Sequence, residues 1–200
     1  MAPAPLDLPE LTDGVVLLRA FSERDAAALA AIWRDPEIRA RNDVPAPSEE
    51  AAREWVARSL ANAAAARAWE WAIVDAHTDE PAGRCALKEI DWAHRRAVVA
   101  TWVAPASRGR QFAARSLRLA AGHAFAHGMM RIHAECEVDN EASFRSLIAA
   151  GMRHEGTLRA YFVTNAGVPV DAHVLGMLPV DLAAAPPLRS DPRVRASPEA

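Results

Sequence analysis

The sequence predicts an α+β fold in which helices flank a mixed, mostly antiparallel central sheet. A strand, a helix and a second strand follow one another between residues 97 and 138, and such a crossover connects two parallel strands. Strand pairs with short connections at 83–103 and 156–178 are typical of antiparallel hairpins. Two capped helical stretches near the N-terminus supply a covering layer. A chain of 200 residues is long enough for one domain with a sizeable core.

The first strand is predicted at Val15–Arg19, and a helix follows it directly. Ser22 is placed to cap this helix, with Asp25 three positions later as in a capping box. Proline cannot continue a helix, so Pro36 is expected to end it. The apolar stripe of this helix consists of Leu29, Ile32 and Trp33.

A second helix is predicted to begin after Ser48, because Glu49 and Glu50 stand in its first turn. Its apolar residues recur at helical spacing: Ala52, Val56, Leu60 and Ala63. The next segment, Trp69–Asp75, has the composition of a strand. A hairpin then joins residues 83–92 and 95–103 through a turn near Ala93 and His94.

The crossover helix is expected over residues 109–127 and ends at Gly128. Its predicted core face carries Ala113, Leu117, Ala120, Ala121 and Ala124. Apolar and polar residues alternate from Arg131 to Val138, which is typical of a half-buried strand. A short helix then runs from Glu141 to Gly151, and two closing strands are expected at 156–164 and 170–178.

The domain is therefore assigned to residues 11–178. Residues 1–10 are rich in proline and are expected to be a flexible N-terminus. From Pro179 onward the composition changes to alanine, proline and mixed charge, so residues 179–200 are expected to form a disordered tail.

Composition excludes several classes of protein. No apolar run approaches the roughly 18 residues that cross a membrane, and the N-terminus lacks the features of a signal peptide. The two cysteines, Cys85 and Cys136, fit buried free thiols in a reducing compartment. The net charge of −3 gives no support to nucleic-acid binding. These features predict a cytoplasmic protein without membrane or nucleic-acid partners, and they leave a homodimer open.

The most informative stretch of the chain is basic. From Thr101 through Ile132 there are five arginines and no acidic residue, and four of the five lie in the turn and helix directly after the predicted strand that ends at Val103: Arg108, Arg110, Arg115 and Arg118. A strand that leads through a glycine-containing turn into a helix N-terminus presents unsatisfied N–H groups and a positive helix dipole to an anion. This arrangement predicts a phosphate site, although a solvated arginine-rich face would have the same composition.

The same residues resemble a known family. Trp102–Ala113 is similar to the acyl-CoA pyrophosphate loop of the GNAT superfamily of N-acyltransferases, which reads Arg/Gln-x-x-Gly-x-Gly/Ala. Arg108, Gln111 and Ala113 occupy the three motif positions, and Gln111 departs from the usual glycine. Further similarity to the branch of ribosomal-protein N-terminal acetyltransferases (Rim-type) lies at Leu17–Ala20, Trp33–Glu37, Asn140–Ser143, Gly151–Met152 and Gly156–Arg159.

The resemblance implies a GNAT-like sheet in which two parallel strands splay apart to admit the pantetheine arm of acyl-CoA. It implies that the pyrophosphate lies on backbone N–H groups of the loop, with Gly109 allowing close approach. The expected cofactor-binding residues are Trp102, Val103, Arg108, Gly109, Arg110, Gln111, Phe112, Ala113, Ala114, Asn140, Ser143 and Arg145. The substitution at Gln111 is costly only if that position requires a positive φ.

The expected catalytic residues are Glu89, Ser143 and Asn140. The resemblance places Asn140 and Ser143 near the thioester, although Asn140 is also the expected N-cap of its helix. Tyrosine, which many relatives use as a proton donor to the thiolate, is absent from this helix, so Ser143 is the remaining donor. Glu89 is the first candidate for the general base, and Asp91 and His94 stand behind it.

Three other groupings have structural interpretations. His123 and His127 are four residues apart on one helix, but no zincin glutamate and no third ligand are evident, so no metal is expected. Cys136 and His133 face opposite sides of a strand and cannot act together. Asp171 and His173 either line the acceptor end or close a hairpin.

The sequence thus predicts an enzyme that transfers an acetyl group from acetyl-CoA to the primary amine of a small molecule or peptide, by direct attack in a ternary complex. Succinyl-CoA as donor, a non-catalytic acyl-CoA-binding module and a protein that keeps only the fold are the alternatives. An α-amine costs about 1 kcal/mol to deprotonate at pH 7 and a lysine amine roughly 4–5 kcal/mol. The sparse acid–base inventory therefore favours an α-amine acceptor.

Overall fold

The structure, a computed structural model, describes residues 6–191 and contains one eight-stranded sheet. The strands lie in the order β1-β2-β3-β4-β5-β6-β8-β7. Every neighbouring pair is antiparallel except β5 and β6, which are parallel. The α+β prediction with one parallel strand pair is therefore confirmed.

The first half of the chain builds one edge of the sheet and three helices. Its strands are β1 (Leu11–Thr12), β2 (Val16–Ala20), β3 (Trp69–Asp75) and β4 (Pro81–Asp91). Between β2 and β3 lie a 3₁₀ turn (Glu23–Asp25) and the helices α1 (Ala26–Ile32), α2 (Pro36–Arg41) and α3 (Glu49–Ala64).

The second half contains the crossover and the closing hairpin. Its elements are β5 (Arg96–Val103), a 3₁₀ turn (Pro105–Ser107), α4 (Phe112–Ala126), β6 (Arg131–Glu137), α5 (Glu141–Ala150), β7 (Arg153–Val163), β8 (Pro169–Met177) and α6 (Pro179–Ala183).

Each face of the sheet packs on its own layer of helices. Strand β3 is buried along its whole length, and its residues alternate between the two layers. Trp69, Trp71 and Ile73 lie in the core with α4 and α5. Ala72 and Val74 lie in a second core with α1 and α3, which also contains Trp33.

The predicted helix caps are present. Asp25 closes a capping box with Ser22, and the Ser48 hydroxyl accepts a hydrogen bond from the Ala51 N–H. Asp25 also forms a buried two-bond ion pair with Arg19. Burial opposes ionisation of Asp25, but the hydrogen bonds from Arg19 and Ser22 outweigh burial, so its pKa is lowered.

The structure differs from the sequence-based expectation around Pro36 and at Leu60. Pro36 ends nothing. It is the first residue of α2, because the Asp35 carboxylate caps that helix by accepting from the Ile38 N–H. Leu60 is predicted to lie in the core but is 42% exposed.

Both ends of the described chain also carry more structure than expected. The Leu6 N–H donates to the Ala63 carbonyl, and Leu6 and Leu8 pack on the core. After β8 the chain forms α6 and then lies along α4 as far as Asp191. The predicted flexible residues 1–5 and the remainder of the predicted tail, 192–200, lie outside the described residues.

Candidate functional site

The central feature of the sheet is a wedge between β5 and β6. Their parallel ladder joins Arg96–Val98 to Arg131–His133. Within the described residues no ladder joins the rest of β5, Val99–Val103, to the rest of β6. The two strands therefore diverge over their carboxyl-terminal halves, and the edge of β5 in this region is open to a ligand.

Val103 directs its backbone polar groups into the wedge. The Ala104 N–H donates to the Ala82 carbonyl, toward β4, at 2.7 Å. Because consecutive residues of a strand direct their N–H groups to opposite edges, Val103 donates toward the wedge. The Trp102 side chain is 6% exposed and lies in the second core, so its indole is part of the core.

Gly83 on β4 keeps this edge in position. A Cβ at Gly83 would lie 2.3 Å from the Trp102 carbonyl oxygen, so only glycine allows β4 and β5 to approach this closely.

The loop after β5 is built to present N–H groups. Gly109 and Gln111 both have left-handed backbones, with φ of +76° and +60°. The N–H groups from Gly109 to Ala114 have no acceptor among the described residues. Consecutive N–H groups in such a turn, at a helix N-terminus, form a concave site for an anion.

The arginines of this region are paired with partners inside the protein. Arg108 contacts Asp35 and Glu37, and Arg110 contacts Asp75 at 2.7 Å while its guanidinium lies over the Phe112 ring. Further partners are Asp13 for Arg115, the Ala149 and Ala150 carbonyls for Arg118, and Glu141 for Arg145. The backbone, rather than free guanidinium groups, is therefore the principal anion donor here.

The C-terminal segment lies against the same helix N-terminus. Gln111 Oε1 accepts from the Arg189 N–H at 2.7 Å, and an Asp191 carboxylate oxygen lies 3.6 Å from Arg110. A cavity of about 270 Å³ lies between this segment and the loop, lined by Gly109, Arg110, Gln111, Arg115, Arg189, Ser190 and Asp191.

Across the wedge, the N-terminus of α5 holds the other two predicted residues. Asn140 Oδ1 accepts from the Ser143 N–H at 3.1 Å, as expected for an N-cap. Burial raises the pKa of the Cys136 thiol of β6, and an interaction with the neighbouring Ser143 hydroxyl partly offsets the rise. Cys85 and Cys136 are both free and buried, as the sequence predicts.

The opposite face of β6 carries a histidine and a carboxylate that sequence reasoning missed. His133 Nε2 lies 3.6 Å from Glu135 Oε1, and both side chains are about four-fifths buried. His133 Nδ1 is buried without a partner among the described residues. The negative charge of Glu135, burial and the negative charge of Glu89 all raise the pKa of the Tyr161 phenol, so both carboxylates lie within electrostatic range of Tyr161 on β7. The period-two pattern of β6 could have identified this face.

The sequence candidates for the general base lie farther from the open part of the wedge. Glu89 is in a left-handed bulge of β4, at the end where β5 and β6 are paired, and its exposed carboxylate contacts Lys88. Asp91 accepts from the N–H and ring of His94, and these bonds lower its pKa to about 2. Asp91 and His94 therefore form a hairpin turn, and Asp91 is too weak a base.

The structure also shows what the other three side-chain pairs from the sequence analysis contact. Asp171 accepts from the Ala160 N–H and supports a bulge in β7, whereas the His173 ring packs on Phe144. Cys136 lies in the core and His133 on the other face, so they do not meet. His123 and His127 do meet a third candidate ligand, Asp7. Among the described residues, no helix has the length and apolar character required to cross a membrane.

Comparisons with known proteins agree on one family. A family model described as an acetyltransferase (GNAT) domain matches residues 16–153. An uncharacterized N-acetyltransferase, YoaA, of Bacillus subtilis (strain 168) is 29% identical over 172 residues, which are 85% of this chain and 97% of that protein.

Solved structures share the fold. RimJ of Mycobacterium smegmatis, in complex with CoA-disulfide, superposes with a TM-score of 0.77 at 24% identity, covering 90% of this chain and 92% of that one. RimL, a ribosomal L7/L12 alpha-N-protein acetyltransferase in complex with coenzyme A, gives 0.75 at 21% identity, covering 86% and 98%.

Proposed function

Because the chain belongs to the GNAT acetyltransferase family, we propose that it transfers an acetyl group from acetyl-CoA to a primary amine by direct attack within a ternary complex. The observation that carries this proposal is the open wedge between β5 and β6, which leads to six N–H groups without acceptors among residues 6–191. A substrate with an extended polar arm and a pyrophosphate matches both features.

The pyrophosphate is assigned to the N–H groups of residues 109–114. These N–H groups can bind the pyrophosphate without a free arginine side chain, which agrees with the pairing of Arg108 and Arg110 to carboxylates inside the protein. The acyl carbonyl is assigned to the part of β5 where Val103 donates into the wedge, because a fixed N–H there stabilises the developing oxyanion.

The amine is assigned to the face of β6 that carries His133 and Glu135. An ammonium group must lose a proton before it attacks, and a carboxylate beside an imidazole is suited to remove it. Glu135 is therefore our first candidate for the base, ahead of Glu89. Glu89 is 66% exposed and already contacts Lys88.

Proton return to the departing thiolate is assigned to Ser143. Its hydroxyl stands in the first turn of α5, next to Cys136 of β6 and so at the wall of the wedge. Asn140 serves mainly to hold this turn through its cap.

The test is a free-thiol assay of the full chain with acetyl-CoA and a panel of amines and peptides. Glu135→Gln is expected to lower turnover by roughly 10²-fold with acetyl-CoA affinity unchanged, since a base acts on the amine. Glu89→Gln, on β4 at the other side of β5, is the matched control and should change turnover little. If Glu89→Gln is the damaging variant, the base assignment is wrong. If no amine accelerates thiol release, the transferase proposal is wrong.

One observation supports a second candidate, a non-catalytic acyl-CoA-binding module. Residues 189–191 lie against residues 109–114, which we call the phosphate loop. This arrangement suits a protein in which ligand binding displaces the C-terminal segment. This alternative predicts binding of acetyl-CoA by calorimetry without amine-dependent thiol release. Succinyl-CoA in a parallel assay tests the longer acyl donor.

A further inference from the structure

Three side chains outside the wedge come together where the N-terminal segment crosses α4: Asp7, His123 and His127. Their potential ligand atoms all lie within 4.8 Å of one another. Asp7 Oδ1 is 3.9 Å from His123 Nε2 and 3.8 Å from His127 Nε2. We propose that these residues bind a transition-metal dication of the zinc class through two imidazoles and one carboxylate.

His127 is held in the tautomer that a metal requires. Its Nδ1 lies 2.9 Å from the His123 carbonyl oxygen, and because a carbonyl can only accept, Nδ1 carries the proton. The Nε2 atom of the neutral ring then presents a lone pair toward Asp7. A hydrogen bond of this kind from the second nitrogen is how protein backbones orient metal-binding histidines.

His123 supplies a buried atom that lacks a partner. Its side chain is only 6% exposed, and Nε2 has no hydrogen-bond partner among residues 6–191. A buried polar atom without a partner is destabilising, and a bound metal ion would satisfy it.

The distances leave room for an ion rather than for a hydrogen bond. Separations of 3.8 and 3.9 Å between Asp7 and the two imidazoles exceed hydrogen-bond length. Ligand atoms at about 2.0–2.2 Å from Zn²⁺ in tetrahedral geometry lie roughly 3.3–3.6 Å apart. Asp7, which is 69% exposed, can shorten its two distances by the few tenths of an ångström required, and the two imidazoles offer ligand atoms within 4.8 Å of each other.

The His123 side of the site is aromatic and buried. The edges of Trp69 and Trp71 meet the His123 ring, with centroids at 5.6 and 5.5 Å. Asp7 is positioned by its neighbours, because the Leu6 N–H donates to Ala63 and Leu6 and Leu8 pack on the core.

The site is suited to joining segments rather than to hydrolysis. Ala124 follows His123 where a zinc protease motif places its glutamate base. The ion would link the N-terminal segment to α4, the helix whose other end forms the phosphate loop. Two imidazoles and one carboxylate favour Zn²⁺, Co²⁺ or Ni²⁺ over Mg²⁺ or Ca²⁺.

The test uses the untagged full chain, titrated with Zn²⁺ by calorimetry and with Co²⁺ by visible absorption. We expect one Zn²⁺ per chain and a rise in the unfolding temperature with Zn²⁺. His127→Ala and Asp7→Asn, both at exposed positions, should each lower affinity by at least 10-fold and reduce that rise, while circular dichroism confirms folding. His154→Ala is the matched control, because His154 and His173 are another close pair, with ring centroids at 4.8 Å.

Binding below one equivalent at 100 µM free Zn²⁺ would overturn the proposal, as would equal losses in His154→Ala and His127→Ala. Unchanged affinity in Asp7→Asn would overturn the three-ligand site.

Discussion

Gln111 is the residue at which the phosphate loop departs from its motif, and its backbone explains why glycine is usual there. The residue has φ of +60°, a conformation that costs an ordinary L-residue about 1–2 kcal/mol. Its side chain makes one compensating contact, the hydrogen bond from the Arg189 N–H. The sequence could identify the substitution, but φ depends on how the loop closes onto α4.

A matched pair of variants measures this strain. Gln111→Gly and Gln111→Ala both remove the contact with Arg189, so they differ mainly in the cost of a left-handed backbone. We expect the glycine variant to be more stable than the alanine variant by about 1 kcal/mol in urea unfolding. An alanine variant as stable as the glycine variant would show that position 111 is not left-handed.

Other residues show what local patterns can and cannot predict. Ser22, Ser48 and Asn140 cap helices as predicted, because capping depends on residues within a few positions along the chain. Glu135 was missed because its significance depends on His133 and on the distant Tyr161. A single strand pattern indicates which residues share a face but not what that face meets.

Among the elements, α4 connects the two ends of the chain. Its predicted start at 109 is three residues early, because the left-handed backbones of Gly109 and Gln111 delay regular helix until Phe112. The outer side of α4 receives the C-terminal segment through the Arg118 contact with the Pro186 carbonyl and the Arg189 contact with Gln111. These contacts join residues nearly 70 or more positions apart, so composition alone predicted a disordered tail.

Asp191 gives this element a testable charge effect. Its carboxylate lines the cavity at the N-terminus of α4, where a negative charge opposes the pyrophosphate that we assign there. Charges at a helix terminus contribute about 0.3–1 kcal/mol, so Asp191→Asn should tighten CoA binding roughly 2- to 5-fold at low salt. Calorimetry of CoA binding measures this change.

The control for this prediction is Glu141→Gln, which removes an exposed carboxylate from α5 instead. Equal tightening in both variants would indicate a general effect of net charge. Unchanged or weaker binding in Asp191→Asn would contradict the assignment of the phosphate site to this cavity.

For the whole molecule, the strand and helix sequence was predictable because hydrophobic period and turn chemistry are local. The alternation of β6 and the hairpin between β4 and β5 appear close to where the sequence places them. The wedge required the family resemblance, since no local pattern reports where two parallel strands stop pairing. The meeting of Asp7 with α4 is a contact between distant segments and has no sequence signal.

The acceptor preference is a property of the whole molecule, because the amine, the base and the thioester must meet in one wedge. Helix α5 carries no tyrosine, and the face of β6 offers one imidazole and two carboxylates: Glu135 beside His133, and Glu137, which is paired with Arg41. At pH 7 the free-base fraction of an α-amine, with pKa near 7.8, exceeds that of a lysine amine by a factor of roughly 340. We therefore expect peptide α-amines to be acetylated with a kcat/KM at least 10²-fold above that of lysine side chains at pH 7.

The pH dependence separates this explanation from pocket shape. Between pH 7 and about pH 10 the α-amine is already deprotonated for most of the range, whereas the free lysine amine continues to increase about tenfold per pH unit. The preference should therefore shrink steadily as pH rises. Two peptides, one with its lysine blocked and one with its α-amine blocked, provide the measurement in the free-thiol assay. A preference that stays constant from pH 7 to 10 would mean that the wedge selects the acceptor by shape. A preference for lysine at pH 7 would mean that Glu135 and His133 form a stronger base than their geometry indicates.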